Sequence, residues 1–431
     1  MSTLADAPAG KVASSFANTA NFDSFKKNYL LVYSLVMMSD WLQGPYIYQL
    51  YRDYGYDLND IAILFITGFL SSAVLGTVVG SIADRVGRKT MCLAFCVVYT
   101  VSCLTKLSPA FSVLLLGRVT GGVATSLLFS TFEAWMVSEH FSRGFKDSLL
   151  SDTFSWATFL NGLVAIISGV LANFLANIWG PVSPFMASIV FQGAAAAVIS
   201  TTWSENYGSE KPKASSSSLK QAISVIFNDS NIRSTGLMQT FFESAMYTFV
   251  FLWSPVLENI TPTSLSLPYG IIFAAFMVSI MIGSVIFRVL NAERMSHKII
   301  ARNLFLAAGV SLVIPALFIQ NATILFAAFN LFELCCGIYY PTLGTIRSKV
   351  IPEEIRATVM NIFRVPLNLI VVVTLLKVKD ISQSLLFVLC AASVIVAAYY
   401  ATIVSVQTKD VVKIVDKDTT EMSSIAVAED E

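Results

Sequence analysis

The chain has 431 residues, of which 55% are apolar and 13% are charged, and its formal net charge is zero. Because soluble domains carry about 25% charged residues, most of this chain is not expected to face water. The neutral balance argues against a nucleic-acid partner, which would require a basic surface. The sequence has no ATP-binding loop, no dinucleotide-binding glycine motif and no nucleophile paired with a base, so we expect a protein that is not an enzyme and needs no cofactor.

Apolar segments of about the length of a membrane-crossing helix recur along the chain, and twelve can be counted. Such a helix needs about 20 predominantly apolar residues. The predicted spans cover residues 29–50, 60–83, 90–106, 109–135, 150–177, 183–203, 232–257, 268–290, 298–319, 322–346, 355–377 and 381–405. They predict an all-α membrane protein. Since the residues before 29 lack an early apolar core, the first span is expected to act as an uncleaved signal-anchor.

A polar stretch between the sixth and seventh spans divides the chain into two halves. Residues 204–231 contain charged residues, a proline and a run of serines, a composition typical of a flexible linker. We therefore predict two six-helix bundles, residues 29–203 and 232–405, joined by a cytoplasmic linker. The flanking residues 1–28 and 406–431 are predicted to be disordered cytoplasmic tails.

The distribution of basic residues predicts how the chain crosses the bilayer. Loops on the side of the two termini hold most of the Lys and Arg residues, whereas loops on the other side hold only Arg52, Lys106, Lys377 and Lys379. Loops rich in Lys and Arg face the cytoplasm. Both termini are therefore predicted to be cytoplasmic.

The six cysteines all fall within predicted spans. Cys92 and Cys96 are one helical turn apart, a spacing that metal ligands also use, but neither a His nor a carboxylate lies near them in the sequence. Free cysteine is among the residue types that are most often buried. We therefore expect buried thiols, with neither a metal site nor a disulfide.

A charged, glycine-containing turn separates the second and third predicted spans. It resembles the loop between the second and third helices of the major facilitator superfamily. The resemblance implies two pseudo-symmetric six-helix bundles, a secondary transporter, and a conformational latch that holds helix ends together on the cytoplasmic side. The residues assigned to this latch are Gly80, Asp84, Arg85, Gly87, Arg88 and Lys89.

The same turn recurs in the second half of the chain. Residues 83–89 match residues 292–298 in position, with four of the seven residues similar or identical. Charged residues of the spans also align, Arg118 with Glu333 and Asp40 with Glu243. Because these matches occur in the same order in both halves, they indicate an internal repeat of the kind found in many transporter folds.

Polar and charged residues inside predicted spans are candidates for a functional site. A charge at the centre of a membrane helix costs on the order of 2.5–3.5 kcal/mol, so each needs a partner or a water-filled cavity. In the first span these residues recur at helical spacing beside Pro45, which is expected to kink the helix. In the eleventh span they share one face near Pro366, which frees the carbonyl of Ile362. The residues predicted to bind substrate are Asp40, Gln43, Tyr46, Arg118, Glu243, Glu333, Asn361 and Arg364.

The same residues allow structural interpretations. Asp40 and Arg118 could form an ion pair that holds a bundle together, and the asparagines of the eleventh span could bridge helices. Glu133, near the cytoplasmic end of the fourth span, is interpreted as a gate or interface residue.

Five strings of the sequence resemble a more specific family. They are Asp40 to Tyr46, Cys103 to Ser108, Leu128 to Trp135, Phe249 to Leu257 and Asn361 to Leu367. Together they are similar to the molybdate-anion transporter family. The resemblance extends over nearly all of the membrane domain, and it implies uptake of molybdate at the plasma membrane.

Molybdate is a tetrahedral dianion, and the planar fork of arginine suits an oxyanion better than the point charge of lysine. Arg118 and Arg364, from opposite halves, are predicted to supply one contact each. Carrying a dianion into a negative cell opposes about 2.3 kcal/mol per charge per 100 mV. A coupling proton is therefore expected, with Asp40, Glu243 or Glu333 as its carrier. The protein is expected to be a monomer in the lipid bilayer.

Two other functions remain open from the sequence. A transporter of a neutral or organic solute, such as a sugar or drug, would favour Gln, Asn and Trp in its site over a pair of arginines. A membrane receptor or scaffold that transports nothing would be expected to carry a sizeable soluble domain or a long tail, and neither is predicted.

Overall fold

The computed structural model describes residues 9–208, 216–261 and 266–405, and nearly all of them are helical. The α-helices of this described chain are α1 (Ala9–Trp41), α2 (Ile47–Asp53), α3 (Leu58–Val86), α4 (Arg88–Leu104), α5 (Phe111–Ser142), α6 (Asp147–Trp179), α7 (Ser183–Thr202), α8 (Ser216–Asn228), α9 (Ser230–Ile260), α10 (Tyr269–Ala292), α11 (His297–Leu317), α12 (Ala322–Val350), α13 (Glu353–Leu376) and α14 (Gln383–Ile403). Single turns of 3-10 helix lie at Gly44–Tyr46 and Thr105–Leu107. The predicted all-α class is confirmed.

Ten helices within the described residues are long and apolar enough to cross a membrane. α1 and α9, with 33 and 31 residues, are also long enough, but they carry more polar side chains and do not reach the same hydropathy. They occupy the places of the first and seventh predicted spans. Each of the twelve predicted spans therefore overlaps a helix.

The start of the chain differs from its prediction. Residues 9–28 belong to α1 and are helical, so the prediction of a disordered tail is wrong for them. The physical reason is burial of aromatic side chains: Phe22 and Phe25 are 3% and 4% exposed, and both rings pack against Phe145. Residues 1–8 lie outside the described residues.

The linker between the halves also differs from its prediction, because it contains α8. Ala222 and Ile226, one turn apart on α8, are buried where this helix packs against α9 and α13. Apolar residues at a spacing of four predict such a helix, but the serines before them dominate the local composition. The parts of the predicted linker and tail at 209–215 and 406–431 lie outside the described residues.

The internal repeat appears as matching helix contacts. α5 packs closely on α3, and α12 packs closely on α10. A Cβ added at Gly122 would lie 2.7 Å from the carbonyl oxygen of Gly68, and one added at Gly337 would lie 2.1 Å from that of Ile280. Small residues let helix backbones approach this closely. Each half therefore has a glycine at the contact between its corresponding pair of helices.

The helices form two bundles, with α1 to α7 in the first and α9 to α14 in the second. They meet where α6 packs against α10 and where α3 packs against α13. We call the end of the molecule with the Gly87 turn the latch end, and the opposite end the far end.

Polar and aromatic contacts join the bundles toward the far end. Lys379 bonds to Asp57, and Arg52 lies 3.6 Å from Glu258. The pKa of Asp57 is below its ordinary value of 3.8, first because Lys379 donates to its carboxylate, so the bond is present at neutral pH and is lost only in strong acid. The ring pairs across the interface are Tyr46 with Tyr269, Trp41 with Phe273, Phe65 with Phe251 and Phe69 with Tyr247.

The apolar core, like the polar contacts, joins the two bundles toward the far end. The far half of the first bundle shares one continuous core with the second bundle, whereas the latch half of the first bundle has a core of its own. Within the described chain, every hydrogen bond, ion pair and ring contact between the bundles lies in the far half. The bundles are therefore closed together at the far end, and a cavity of about 910 Å³ lies beside α5 at the latch end.

Breaking both far-end ion pairs should favour separation of the bundles there. Exposed pairs contribute roughly 0.2–1 kcal/mol each, so Arg52→Gln combined with Lys379→Gln should raise the far-open population by about twofold to thirtyfold. Spin labels at Ser108 and Gln320, on far-end loops of opposite bundles, would report this as a longer distance in double electron–electron resonance. Lys377→Gln is the control, because Lys377 pairs only within its own loop. An unchanged distance in the double variant would contradict the role of these pairs.

Candidate functional site

A cavity of about 230 Å³ lies inside the first bundle, between α1, α3, α4 and α5. It has room for several waters or for one small ion. Its polar side chains are Asp40, Gln43, Tyr99, Ser102, Lys106 and Arg118. Sequence reasoning singled out Asp40, Gln43 and Arg118 from this set.

Arg118 is held by groups that carry no negative charge. Its Nε donates to the carbonyl oxygen of Leu64 at 2.9 Å, and the guanidinium lies 4.8 Å from the centroid of the Phe65 ring. Gly68 leaves room for it, since a Cβ there would come within 2.8 Å of the guanidinium. None of the described carboxylates forms an ion pair with Arg118. The cation is therefore positioned by the protein but not neutralised by it.

Asp40 is bonded to a tyrosine and not to Arg118. Its Oδ1 accepts a hydrogen bond of 2.5 Å from the hydroxyl of Tyr99 on α4. The structural ion pair that the sequence left open does not form. Gln43 lies on the same side of the cavity and donates to the carbonyl oxygen of Ser39 at 3.3 Å.

Lys106 is a part of this cavity that sequence reasoning missed. The 3-10 turn after α4 folds its side chain inward, so Lys106 is only 2% exposed. Its Nζ lies 3.5 Å from the Thr105 hydroxyl and 5.9 Å from the centroid of the Tyr51 ring. The distribution of basic residues along the sequence places Lys106 in an outer loop. The sequence feature that could have indicated its burial is its position in the string Cys103 to Ser108, where every neighbour is apolar or carries only a hydroxyl or thiol group.

Tyr46, another predicted site residue, does not line the cavity. Pro45 has no N–H to donate, so α1 ends at Trp41 and the chain turns before continuing as α2. The predicted kink is thus a break in the helix, and Tyr46 no longer shares a face with the preceding polar residues. Its hydroxyl donates to Asn173 on α6 at 3.0 Å, and its ring packs on Tyr269 of the other bundle.

Glu243 belongs to a polar network inside the second bundle. Its Oε1 accepts hydrogen bonds from Tyr339 at 2.7 Å and from Arg347 at 3.1 Å, and its Oε2 accepts one from Gln239 at 3.2 Å. Charge counting places Arg347 in a loop, but α12 continues to Val350 and carries it. The network occupies both carboxylate oxygens and joins α9 to α12.

Arg364 lies on α13 with an exposed side chain that forms no hydrogen bond or ion pair with the described residues. It interacts electrostatically with Tyr247, whose ring contacts Phe69 across the interface. Phe69 in turn contacts Phe65, over which Arg118 lies. The two arginines therefore sit at opposite ends of a row of aromatic rings and make no direct contact.

The two arginines also differ in depth. With a rise of about 1.5 Å per residue, Arg118 lies roughly 10 Å from the far end of α5, and Arg364 lies roughly 18 Å from the far end of α13. Asn361 is exposed one turn before Arg364 on the same helix. Glu333 is buried on α12 at 8% exposure, with the Cys336 thiol as its hydrogen-bond partner and with no described Lys or Arg paired to it.

The predicted latch forms a network around the Gly87 turn. Arg88 pairs with Asp84 at 2.7 Å and donates to the carbonyl oxygen of Ala134 at 3.3 Å, so it joins α3, α4 and α5. The ammonium of Lys89 donates to the carbonyl oxygen of Trp203 at 2.7 Å. These contacts all lie within the first bundle.

Glu205, which follows α7, closes this network and was not singled out from the sequence. Its carboxylate accepts hydrogen bonds from the backbone N–H groups of Lys89 and Thr90, at 2.8 and 3.0 Å, and from the Thr90 hydroxyl at 2.6 Å. It therefore caps the start of α4, where unpaired N–H groups and the helix dipole favour negative charge. Gly87 has φ = 113°, and a Cβ there would lie 2.5 Å from Cδ of Glu205, so the turn requires glycine.

Two of the predicted latch residues stand apart from this network. Arg85 is exposed and bonds to none of the described side chains, and Gly80 lies within α3 rather than in the turn.

Comparisons with known proteins agree with this architecture. A transporter family described as sugar transporters with 12 transmembrane segments matches residues 7–336. Curated relatives named molybdate-anion transporter include the protein of Takifugu rubripes, 34% identical over 397 residues, which are 84% of this chain and 81% of the relative. The Xenopus tropicalis protein of the same name is also 34% identical over 397 residues, with coverage of 87% and 84%.

Among solved structures, a crystal structure of the nucleoside transporter NupG superposes with a TM-score of 0.74, covering 88% of this chain and 99% of NupG. The sequence identity is 10%, so the likeness establishes the fold alone. Together with the 12 spans of the matching family, it confirms the predicted fold class.

Removing the Glu205 carboxylate should destabilise the first bundle. Loss of a helix N-cap costs about 0.5–2 kcal/mol, so Glu205→Ala should lower the free energy of unfolding by about 1–2 kcal/mol, measured by unfolding of the purified protein in detergent. Glu293→Ala is the matched control, because this exposed residue lies in the repeated turn and its carboxylate bonds to no described group. An equal effect of both changes would argue against the cap.

Proposed function

Because this chain belongs to the molybdate-anion transporter family of the major facilitator superfamily, we propose that it takes up molybdate, or a similar oxyanion, across the plasma membrane by alternating access. The relatives that carry this name match over more than four-fifths of their own length. A secondary transporter of this kind needs neither a nucleophile nor a bound cofactor.

One observation supports an anion as the cargo: each bundle places an arginine in the membrane interior without an acid partner among the described residues. Arg118 and Arg364 are these two residues. A charge within the membrane is costly unless it is paired or faces a water-filled cavity. A bound anion would supply the missing negative charge, and the guanidinium fork suits the geometry of a tetrahedral oxyanion.

The two arginines would act in sequence rather than as one clamp. They differ in depth, and the rings of Phe65, Phe69 and Tyr247 connect the space around one to the space around the other. Phe69 and Tyr247 belong to opposite bundles, so relative movement of the bundles would separate these two rings. An anion would then pass from one arginine to the other.

The moving parts would be the bundles at residues 29–203 and 232–405, connected through 204–231. Basic loops at the latch end support a cytoplasmic position for that end. The described conformation would then face the cytoplasm, because its contacts close the far end. Opening to the outside would break the contacts at the far end, while the Glu205 network could stay intact within one bundle.

A coupling proton would offset part of the charge of the cargo. A dianion entering against 100 mV opposes about 4.6 kcal/mol, at about 2.3 kcal/mol per charge. Glu333 is the best placed carrier, because it is buried without a cation and a bound proton would remove an unpaired charge. Asp40 already accepts from Tyr99, and Glu243 already pairs with Arg347.

Transport of a sugar is the rival that the description of the matching family favours. A neutral sugar offers no negative charge to Arg118 or Arg364. Amide and indole groups would serve it better than two unpaired guanidinium groups. Competition between an oxyanion and a sugar for uptake distinguishes the two hypotheses directly.

Cells that make this protein should accumulate labelled molybdate, and tungstate, also a tetrahedral dianion, should compete while glucose should not. Arg364→Gln should lower uptake about tenfold or more at equal expression, since a hydrogen bond to a charged group contributes about 1.5–3 kcal/mol. Arg302→Gln is the control, because Arg302 is exposed on α11 and bonds only to its neighbour Asn303. Normal uptake by Arg364→Gln would remove Arg364 from the path, and competition by glucose alone would favour the sugar hypothesis.

Proton coupling predicts that a proton uncoupler lowers molybdate uptake several-fold at a fixed membrane voltage. Glu333→Gln should make the remaining uptake insensitive to the external pH, because the variant has no proton to exchange at this position. Glu293→Gln should keep the pH dependence of the unmodified protein. If the uncoupler has no effect at fixed voltage, coupling to protons is wrong.

A further inference from the structure

We propose that Lys106 and Arg118 together form the primary oxyanion-binding subsite, inside the first bundle. This inference rests on the proposed transport function and names the residues at which the cargo binds first. It differs from a clamp between the two bundles, because both cations come from the same bundle.

Both cations face one small space. Lys106 and Arg118 line the cavity of about 230 Å³, and they are close enough to interact electrostatically with each other. Two like charges that face one small space repel, and partial burial strengthens the repulsion. Among the described residues, no carboxylate forms an ion pair with either of them. A small anion between them would relieve this repulsion.

The helices around the cavity leave room for both cationic groups. A Cβ added at Gly117 would lie 2.8 Å from Nζ of Lys106 and 1.9 Å from the hydroxyl oxygen of Thr105. A Cβ added at Gly68 would lie equally close to the guanidinium of Arg118. Any larger side chain at either glycine would push a cation out of its present position. The space is therefore kept by glycines on two different helices, α3 and α5.

The remaining lining leaves positive charge in excess. Asp40 is the single carboxylate among the cavity residues, and it is occupied by the hydroxyl of Tyr99. Arg118 uses Nε to bond Leu64, and its terminal nitrogens have neither a carboxylate nor a carbonyl acceptor in the described chain. The ammonium of Lys106 has only the long contact to Thr105. The Arg118 guanidinium also interacts with the hydroxyl of Tyr51, a neutral group. The remaining N–H groups of both cations are available to an oxyanion.

A structural role for Lys106 makes a different prediction about stability. If its contact with the Tyr51 ring held the bundle together, removing the lysine would destabilise the protein. If Lys106 instead serves to bind an anion, its removal takes away an unpaired buried charge and leaves no other charge without its partner. The stability of the anion-free protein should then be unchanged or higher. The two roles can therefore be separated without measuring transport.

The test uses the purified full chain in detergent, with molybdate, tungstate, sulfate and phosphate as probes in calorimetric binding and thermal unfolding. Molybdate should raise the unfolding temperature of the unmodified protein. Lys106→Met should bind at least tenfold more weakly and lose this rise, while unfolding no earlier than the unmodified protein without anion. Lys106→Arg should retain binding within a few-fold, and Lys377→Gln, an exposed lysine at the same end, should match the unmodified protein.

A second measurement does not depend on folding of the lysine variants. Trp41 lines the same cavity and donates its indole N–H to Asn161. Binding of molybdate should therefore change the tryptophan fluorescence of the unmodified protein, and Trp41→Phe should remove most of that change. A signal that survives in full in Trp41→Phe would overturn this location of the subsite.

The outcomes separate the subsite from the transport function. Molybdate binding and cellular uptake that are normal in Lys106→Met would overturn the subsite and leave the function standing. Loss of stability in anion-free Lys106→Met, whether or not Lys106→Arg restores it, would assign Lys106 a structural role and overturn the inference. If the unmodified protein neither binds nor takes up molybdate but binds another tetrahedral oxyanion through Lys106, the subsite stands and the proposed cargo is wrong.

Discussion

A charge inside a membrane protein needs a partner or a water-filled cavity, and a bound ligand can supply the partner that the protein does not. The two bundles treat this constraint differently. In the second bundle, Glu243 pairs with Arg347 and also accepts a hydrogen bond from Tyr339, so these two charges are satisfied within the protein, whereas Arg364 has no acid partner among the described residues. In the first bundle, Lys106 and Arg118 face one cavity without a described acid partner. This unbalanced charge is the basis on which we propose the site.

The contacts that close the bundles together are also unevenly distributed, between the two ends of the molecule. Continuous apolar packing and two ion pairs join them toward the far end, while the network around Gly87 and Glu205 ties together only elements of the first bundle. A rocking movement can therefore break the far-end contacts without disturbing the latch network. The far-end ion pairs are exposed and individually weak, which suits contacts that must form and break in each cycle.

The sequence predicted the helices well because hydropathy is a local property, which ten of the spans express directly and the first and seventh, α1 and α9, express more weakly. It failed where a contact distant in the chain decides the outcome. The burial of Phe22 against Phe145 extends α1 into the predicted tail, and Glu205 is identified as a cap only when α7 returns beside α4. Lys106 reads as a loop lysine because hydropathy cannot show that a 3-10 turn folds its side chain inward. The partners of the interior acids were likewise beyond prediction, since they lie on other helices.

The internal repeat explains why the contacts between helices were easier to predict than the placement of charges. Duplication preserved the backbone contacts, because Gly122 and Gly337 both sit where helices touch and a side chain at either position would push the helices apart. It did not preserve charge: the position of Arg118 in one half is that of Glu333 in the other. A symmetric scaffold with exchanged charges places two cations at the cavity of the first bundle and a buried acid at the matching position of the second. In the proposed mechanism, the anion would bind first in one half and the coupling proton in the other, and movement of those halves against each other would couple them.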